Sequence, residues 1–239
     1  MPYPAHPCRR AAQLAWLMLA ALLCAPAPAG AEQNVNPQIN QHYQDPDYDH
    51  WLNIFERPGR EVYDRREAIL EQLAIEPGMS IADVGAGTGL YSRLFARAVG
   101  KNGKVYAVDI AANFVEHIQR SAQAQGLHNI TGIVSNQQDT KLAANSVDLV
   151  FVCDTYHHFE YPQTMLASIR QAMREKARLV IIDFVKQPGQ SSDWIMTHVR
   201  ADKHTTIEEI QRAGFKLVAE PTLLHSNYFL VFEKAAVTK

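Results

Sequence analysis

The chain of 239 residues is long enough for one domain or a domain with an appendage, and its 47% hydrophobic and 20% charged content excludes a disordered or fibrous protein. A formal net charge of −2 at pH 7, with no long basic run, gives no electrostatic basis for binding nucleic acid.

The first element in chain order is a leader. Arg9 and Arg10 precede an apolar run from Ala11 to Cys24, and small residues follow as far as Ala29-Gly30-Ala31. This pattern predicts a signal peptide over residues 1–31 and an exported, periplasmic mature protein with no stable membrane span after cleavage, the run being short for an anchor. Leu23 stands where a lipidated Cys24 would need a small neighbour, which speaks against a lipoprotein. The Arg9-Arg10 pair raises the twin-arginine route, although Ala-Ala-Gln follows it instead of a strongly apolar stretch. Beyond the leader, 21 Lys and Arg stand against 25 Asp and Glu, and Cys153 is the sole cysteine. An internal disulfide and a Cys-x-x-Cys metal or redox site are thereby excluded from the mature chain.

Residues 32–60 are polar and marked by Pro37, Pro46 and Pro58, yet rich in rings: His42, Tyr43, Tyr48, His50, Trp51 and Phe55. A disordered tail would be poor in aromatics, so this stretch reads as an ordered arm or lid laid over the domain, or as one helical turn docking Trp51 and Phe55 on the core. Residues 59–74 read as a helix with Val62, Ile69, Leu70 and Leu73 on its apolar side, ended by Pro77-Gly78.

From Ser80 strands and helices alternate. Strands are expected at 80–84, 104–108, 130–134, 147–153, 177–184, 215–219 and 227–233, with helices near 88–99, 112–125, 161–174 and 205–213. The expectation is an α/β fold over residues 61–239: a Rossmann-like, mostly parallel seven-stranded sheet with helices on both faces and an antiparallel last strand.

Ser80 to Ser92 reads as a buried strand, a glycine-rich turn and a helix start. Gly85, Gly87 and Gly89 allow a sharp turn and close approach to a ligand, and Asp83 places a carboxylate at the carboxyl end of the strand, where open α/β sheets bind ligands. A dinucleotide turn would need glycine at position 90, where Leu90 stands. Asp109 ends the second strand, where a carboxylate can accept hydrogen bonds from both hydroxyls of a ribose.

Together these stretches resemble the class I S-adenosylmethionine-dependent methyltransferases. Ile81-Ala-Asp83-Val-Gly85-Ala-Gly87-Thr-Gly89 is similar to their first motif, Val105-Tyr-Ala-Val-Asp109 to their ribose-binding strand, and Ser146 to Asp154 to their fourth strand. Tyr156-His157-His158-Phe159 and Ala213-Gly214-Phe215 resemble later segments of the family, over a span of residues 61–233. Met173 to Ala177 departs from the usual proline-glycine-glycine turn.

The resemblance implies S-adenosyl-L-methionine as cofactor. Gly85, Ala86, Gly87 and Gly89 would approach its methionine part, Asp83 would hold its ammonium, Asp109 its ribose, and Ile110 would lie against the adenine. Asn136 or Gln137 falls nearest the position of the family's adenine-binding acid, and an amide oxygen can accept the same hydrogen bond. The implied reaction is a direct displacement onto a small-molecule acceptor, helped by alignment and exclusion of water.

His157 and His158 are the candidates for a general base, if the acceptor must lose a proton, with Asp154 beside them at the end of the fourth strand. Tyr156, with His198 and Arg200 from the inserted stretch 188–204, are the candidate acceptor-binding residues. No metal site is expected, because adjacent His157 and His158 do not converge on one ion and no third ligand is evident. The alternatives are a non-catalytic S-adenosylmethionine-binding protein and a nicotinamide-dependent oxidoreductase, the latter disfavoured by Leu90. The oligomeric state is not legible.

Overall fold

Seven strands and eight α-helices follow in sequence in the computed structural model, which describes Met1 and residues 31–236. The leader reading therefore falls almost wholly outside the described residues. The elements are α1 Tyr48–Phe55, α2 Glu61–Asp64, α3 Arg66–Leu73, β1 Ser80–Val84, α4 Leu90–Val99, β2 Lys104–Asp109, α5 Ala112–Ala124, β3 Ile130–Val134, β4 Val147–Cys153, α6 Pro162–Ala172, β5 Met173–Phe184, α7 Asp193–His198, α8 Lys203–Arg212, β6 Phe215–Ala219 and β7 Asn227–Lys234. The sheet order is β3-β2-β1-β4-β5-β7-β6. β1 to β5 pair in parallel, and β7 runs antiparallel to both β5 and β6. The expected mostly parallel seven-stranded sheet is what forms. No described helix is long and apolar enough to cross a membrane.

Both faces of the central strands are buried, which is why these strands read as nearly continuous apolar runs. Ile81, Leu149, Phe151, Val180 and Phe229 face one core with Val62, Ile69, Tyr91, Phe95 and Val99. Ala82, Val150, Val152, Leu179, Ile181 and Leu230 face the other with Leu166, Ile169 and Ile210. The chain leaves β1 toward β2 and β3, then crosses back to β4 and β5 on the other side. The crevice at the carboxyl ends of β1 and β4 is thus the topological switch point, where an open α/β sheet offers its binding site.

Most element ends shift by one or two residues from the sequence expectation, and three differences are larger. The helix expected over 59–74 is two helices, α2 and α3, separated at Arg65. β5 begins at Met173, four residues before the expected 177, because Met173 pairs with Val147 and the edge residues Arg174 to Lys176 stay extended and exposed. The arm contains a regular helix, α1, whose N-terminus is capped by the Asp47 side chain accepting from His50 N–H at 3.2 Å.

Phe151 on β4 packs between Tyr91 and Phe95 of α4, with ring centroids 4.7 and 5.1 Å away, and is fully buried. Truncation there opens a cavity between sheet and helix. Phe151→Ala is expected to lower unfolding stability by ~3–5 kcal/mol in urea denaturation.

Candidate functional site

The turn after β1 is built on backbone donors. Gly85 and Ala86 N–H both reach Val108 O, at 2.8 and 3.1 Å, and Gly87 N–H donates to Asp109 Oδ2 at 2.8 Å. Gly85 has φ 75°, and a Cβ there would run into the Thr155 side chain, so the turn closes against the β4 end only with glycine. Asp109 is 7% exposed and also accepts from Ala111 N–H at 2.9 Å. Burial pushes its carboxyl up, and the N–H groups of Ala111, Gly87 and Ile110 pull against that. Asp83 is 4% exposed and accepts from Ser92 Oγ at 2.6 Å. Burial raises it to about 7, with the Ser92 hydroxyl opposing and Asp109 reinforcing the shift.

The arm lies across this turn. Glu56 receives both Arg93 Nη2 contacts, at 2.6 and 2.7 Å, and the Thr88 hydroxyl at 2.8 Å. Tyr48 OH donates to Thr88 O at 3.3 Å, and Phe55 lies against Gly87. Arg60 donates to Phe55 O at 2.8 Å and to Asp154 Oδ2 at 2.7 Å, while Asn227 Nδ2 reaches Asp154 Oδ1 at 2.6 Å. Burial pushes the Asp154 carboxyl up, and the Arg60 charge draws it back without cancelling the rise. Asp154 takes φ 48°, a left-handed conformation that aspartate tolerates better than most side chains.

Beyond Asp154 the chain makes a single 3-10 turn, Tyr156–His158. His157 is 2% exposed; its Nδ1 meets Asp183 Oδ1 at 2.8 Å and its backbone N–H donates to Asp183 Oδ2 at 3.0 Å. His158 Nδ1 lies 3.1 Å from Asn40 Oδ1. His198, on α7, stacks on Trp194 with centroids 4.5 Å apart and meets both other histidine rings at 5.2 Å. Burial, aided by His157 and His198, lowers His158 to about 2, and burial with His157 lowers His198.

One cavity of about 1270 Å³ joins these parts. Asp83, Gly85, Ala86, Gly87, Asp109, Ile110 and Gln137 line it together with Asp154, His157, His158 and His198. Tyr43, Trp51, Phe55, Phe184 and Trp194 supply aromatic surface.

Four of the expected site residues lie elsewhere. Gly89 is off the cavity wall; it takes φ 83° at the N-cap of α4, and a Cβ there would meet Ile118, so it serves the turn and its packing. Asn136 is exposed, its Oδ1 accepting from the N–H groups of Gln138 and Asp139 at 2.9 and 2.8 Å, and its neighbour Gln137 faces the cavity instead. Tyr156 is fully buried and donates to Glu209 Oε2 at 2.7 Å. Arg200 forms a two-point ion pair with Glu209, at 2.9 and 2.8 Å, with its guanidinium over the Tyr156 ring. Tyr156 and Arg200 therefore tie the 3-10 turn to α8 and are absent from the cavity lining.

The ground for expecting no metal ligands also fails. His157 and His158 do converge, with ring centroids 4.3 Å apart, and His198 joins them from α7. Sequence reasoning missed Asp183, which carries the same signal as Asp83 and Asp109: an acid near the carboxyl end of an apolar strand. It also missed Asn40, Glu56 and Arg60, for which the arm offers no periodic signal.

Residues 81–176 match the model of the methyltransferase domain family. The chain is 31% identical over 87 residues to a demethylmenaquinone methyltransferase of Geobacillus stearothermophilus, a match covering 36% of this chain and 37% of that one. It is 27% identical over 126 residues to a 2-phytyl-1,4-naphtoquinone methyltransferase of Trichormus variabilis, covering 52% and 55%. These matches thus span about half or less of the relatives' own length. Among solved structures, an S-adenosylmethionine-dependent methyltransferase from Aquifex aeolicus aligns with a TM-score of 0.71 at 24% identity, over 80% of this chain and all of that one, which shows the shared fold.

Asp83 carries a pH signature. Its folded value of about 7 lies above the ordinary 3.8, so the folded chain binds the proton more tightly than the unfolded one. Its contribution is full below pH 4 and is lost as pH rises through 7. Asp83→Asn removes that loss. The stability of the native protein relative to the variant should fall between pH 4 and 7 by on the order of 4 kcal/mol, read by urea unfolding at stepped pH.

Proposed function

We propose, from the premise that residues 81–176 form a class I S-adenosylmethionine-dependent methyltransferase domain, that this protein transfers a methyl group from S-adenosylmethionine to a small, partly apolar acceptor by direct displacement. The observation that carries the proposal is the continuous cavity from the β1 turn to the aromatic and histidine end. At about 1270 Å³ it exceeds the roughly 300–1,000 Å³ usual for one small ligand, which leaves room for cofactor and acceptor together.

The residues present fit the cofactor. Asp109 is buried and anchored by two backbone donors, which leaves lone pairs for ribose hydroxyls. Ile110 and Phe114 give an apolar wall for a base, Gln137 an amide at its edge, and Asp83 a carboxylate for an ammonium. When bound, the cofactor supplies an electrophilic methyl group on a sulfonium. The chain's part is to align and to exclude water. Glu56 and Arg60 hold the arm over the β1 turn, so that residues 32–60 act as a lid. Tyr43, Trp51, Phe184 and Trp194 offer ring faces to an acceptor. The two relatives are named for quinone acceptors, flat rings of the kind such a wall suits.

We also place the mature protein in the periplasm, on the Arg9-Arg10 pair, the apolar run and Ala29-Gly30-Ala31. Cell fractionation checks this. Loss of export in an Arg9-Arg10→Lys-Lys variant supports the twin-arginine route, and unchanged export excludes it.

Titration calorimetry with S-adenosylhomocysteine and, separately, NAD tests the cofactor. Binding of the first and none of the second is expected, and the reverse overturns the proposal. Asp109→Ala should weaken S-adenosylhomocysteine ~10–100-fold, the loss of charge-assisted hydrogen bonds worth about 1.5–3 kcal/mol. Turnover is then followed as S-adenosylhomocysteine release with a panel of demethylated quinones, phenols and thiols. Binding with no product from any acceptor would favour a non-catalytic binding protein. Glu56→Ala should speed S-adenosylhomocysteine release by loosening the lid, measured by stopped flow.

A further inference from the structure

Three imidazoles from separate parts of the chain meet at one end of the cavity, and each is held from behind. One ring nitrogen from each of His157, His158 and His198 lies within 4.8 Å of one from the other two. Asp183, fully buried on β5, accepts from His157 through both Nδ1 and the backbone N–H. A carboxylate acceptor keeps the proton on Nδ1 and leaves Nε2 with its lone pair.

Asn40 does the same for His158. Its Nδ2 is committed to Gln137 Oε1 at 3.1 Å, His158 O at 2.9 Å and Glu160 Oε1 at 3.1 Å. Its Oδ1 is therefore an acceptor, and His158 Nδ1, 3.1 Å away, is the donor. His198 Nε2 is buried without a hydrogen-bond partner among the described residues, while Trp194 fixes its ring by stacking. An orphaned buried nitrogen in a ring that meets two oriented imidazoles has a definite chemical use.

We propose that His157, His158 and His198 form the binding site of one divalent transition-metal ion of the zinc class, with an open coordination position toward the cavity. Three neutral imidazoles are a donor set of catalytic zinc sites, and outer acceptors such as Asp183 and Asn40 orient such ligands. The cluster contains no carboxylate ligand, which disfavours calcium and magnesium. Zinc–nitrogen bonds of ~2.0–2.1 Å place tetrahedral nitrogens about 3.4 Å apart, so nitrogens now within 4.8 Å of one another close in by at most about 1.4 Å on binding. The open position would take an acceptor oxygen or sulfur; that consequence rests on the methyl-transfer reading, whereas the metal site does not.

The test uses untagged, chelator-stripped protein. Calorimetry with zinc chloride should give one equivalent, and cobalt(II) should develop the visible d–d absorption of a low-coordinate nitrogen site. His198→Ala and His158→Ala should each abolish the one-equivalent binding and the cobalt spectrum, and Asp183→Asn should weaken zinc ~10–100-fold. S-adenosylhomocysteine binding measured on the same variants reports that the fold is intact. No cobalt spectrum in the native protein, or one-equivalent binding unchanged in both histidine variants, overturns the proposal. Metal binding without any S-adenosylhomocysteine binding would refute the cofactor reading and leave the metal site standing. The converse would refute only the metal site.

Discussion

Four carboxylates gather at the carboxyl edge of the sheet, and each has to be stabilised with almost no water. Asp83 and Asp183 stand one residue from the ends of β1 and β5, Asp109 ends β2, and Asp154 follows β4. Burial opposes the charge on each, and each finds a different answer. Asp109 takes backbone N–H groups, Asp154 a guanidinium and an amide, Asp183 an imidazole and a backbone N–H, and Asp83 the hydroxyl and backbone N–H of Ser92. Asp83 has no cation in hydrogen-bond contact among the described residues, and burial pushes its carboxyl to about 7. An incoming ammonium would favour its ionised form.

The arm belongs to the same electrostatic arrangement. Arg60 reaches Asp154, and Glu56 reaches Arg93 behind the β1 turn. Both pairs are largely shielded from solvent, so they are screened less than surface pairs, and breaking either would leave a charge poorly compensated. The arm also carries Asn40, which sets the orientation of His158. Arm and site are thus one construction: the segment that lies across the β1 turn also contacts and orients a side chain of the cavity wall.

How much of this could be read beforehand follows from the range of the interactions. Strand positions and the glycine turn were legible because alternation, apolar runs and φ > 0 positions are local properties. Helix 59–74 split at Arg65, and β5 started early at Met173, because boundaries depend on what the neighbouring strand or helix provides. Tyr156 and Arg200 looked like site residues from their neighbours in sequence, but Glu209 on α8 engages both. Asn136 and Gln137 could not be separated without the loop's own hydrogen bonds, which turn Asn136 outward.

The sequence by itself determined the order of strands and helices, the glycine turn after β1 and the acids near the strand ends. Each of these follows from side-chain periodicity or from the conformational freedom of single residues. Only the tertiary structure decided which polar groups meet. His198 reaches His157 and His158 because α7 folds back over the sheet edge, and Asp183 and Asn40 orient two of the rings because β5 and the arm pack beside the 3-10 turn. Those contacts join residues far apart in the chain, and no local pattern encodes them, since they exist only once both cores have closed on the sheet.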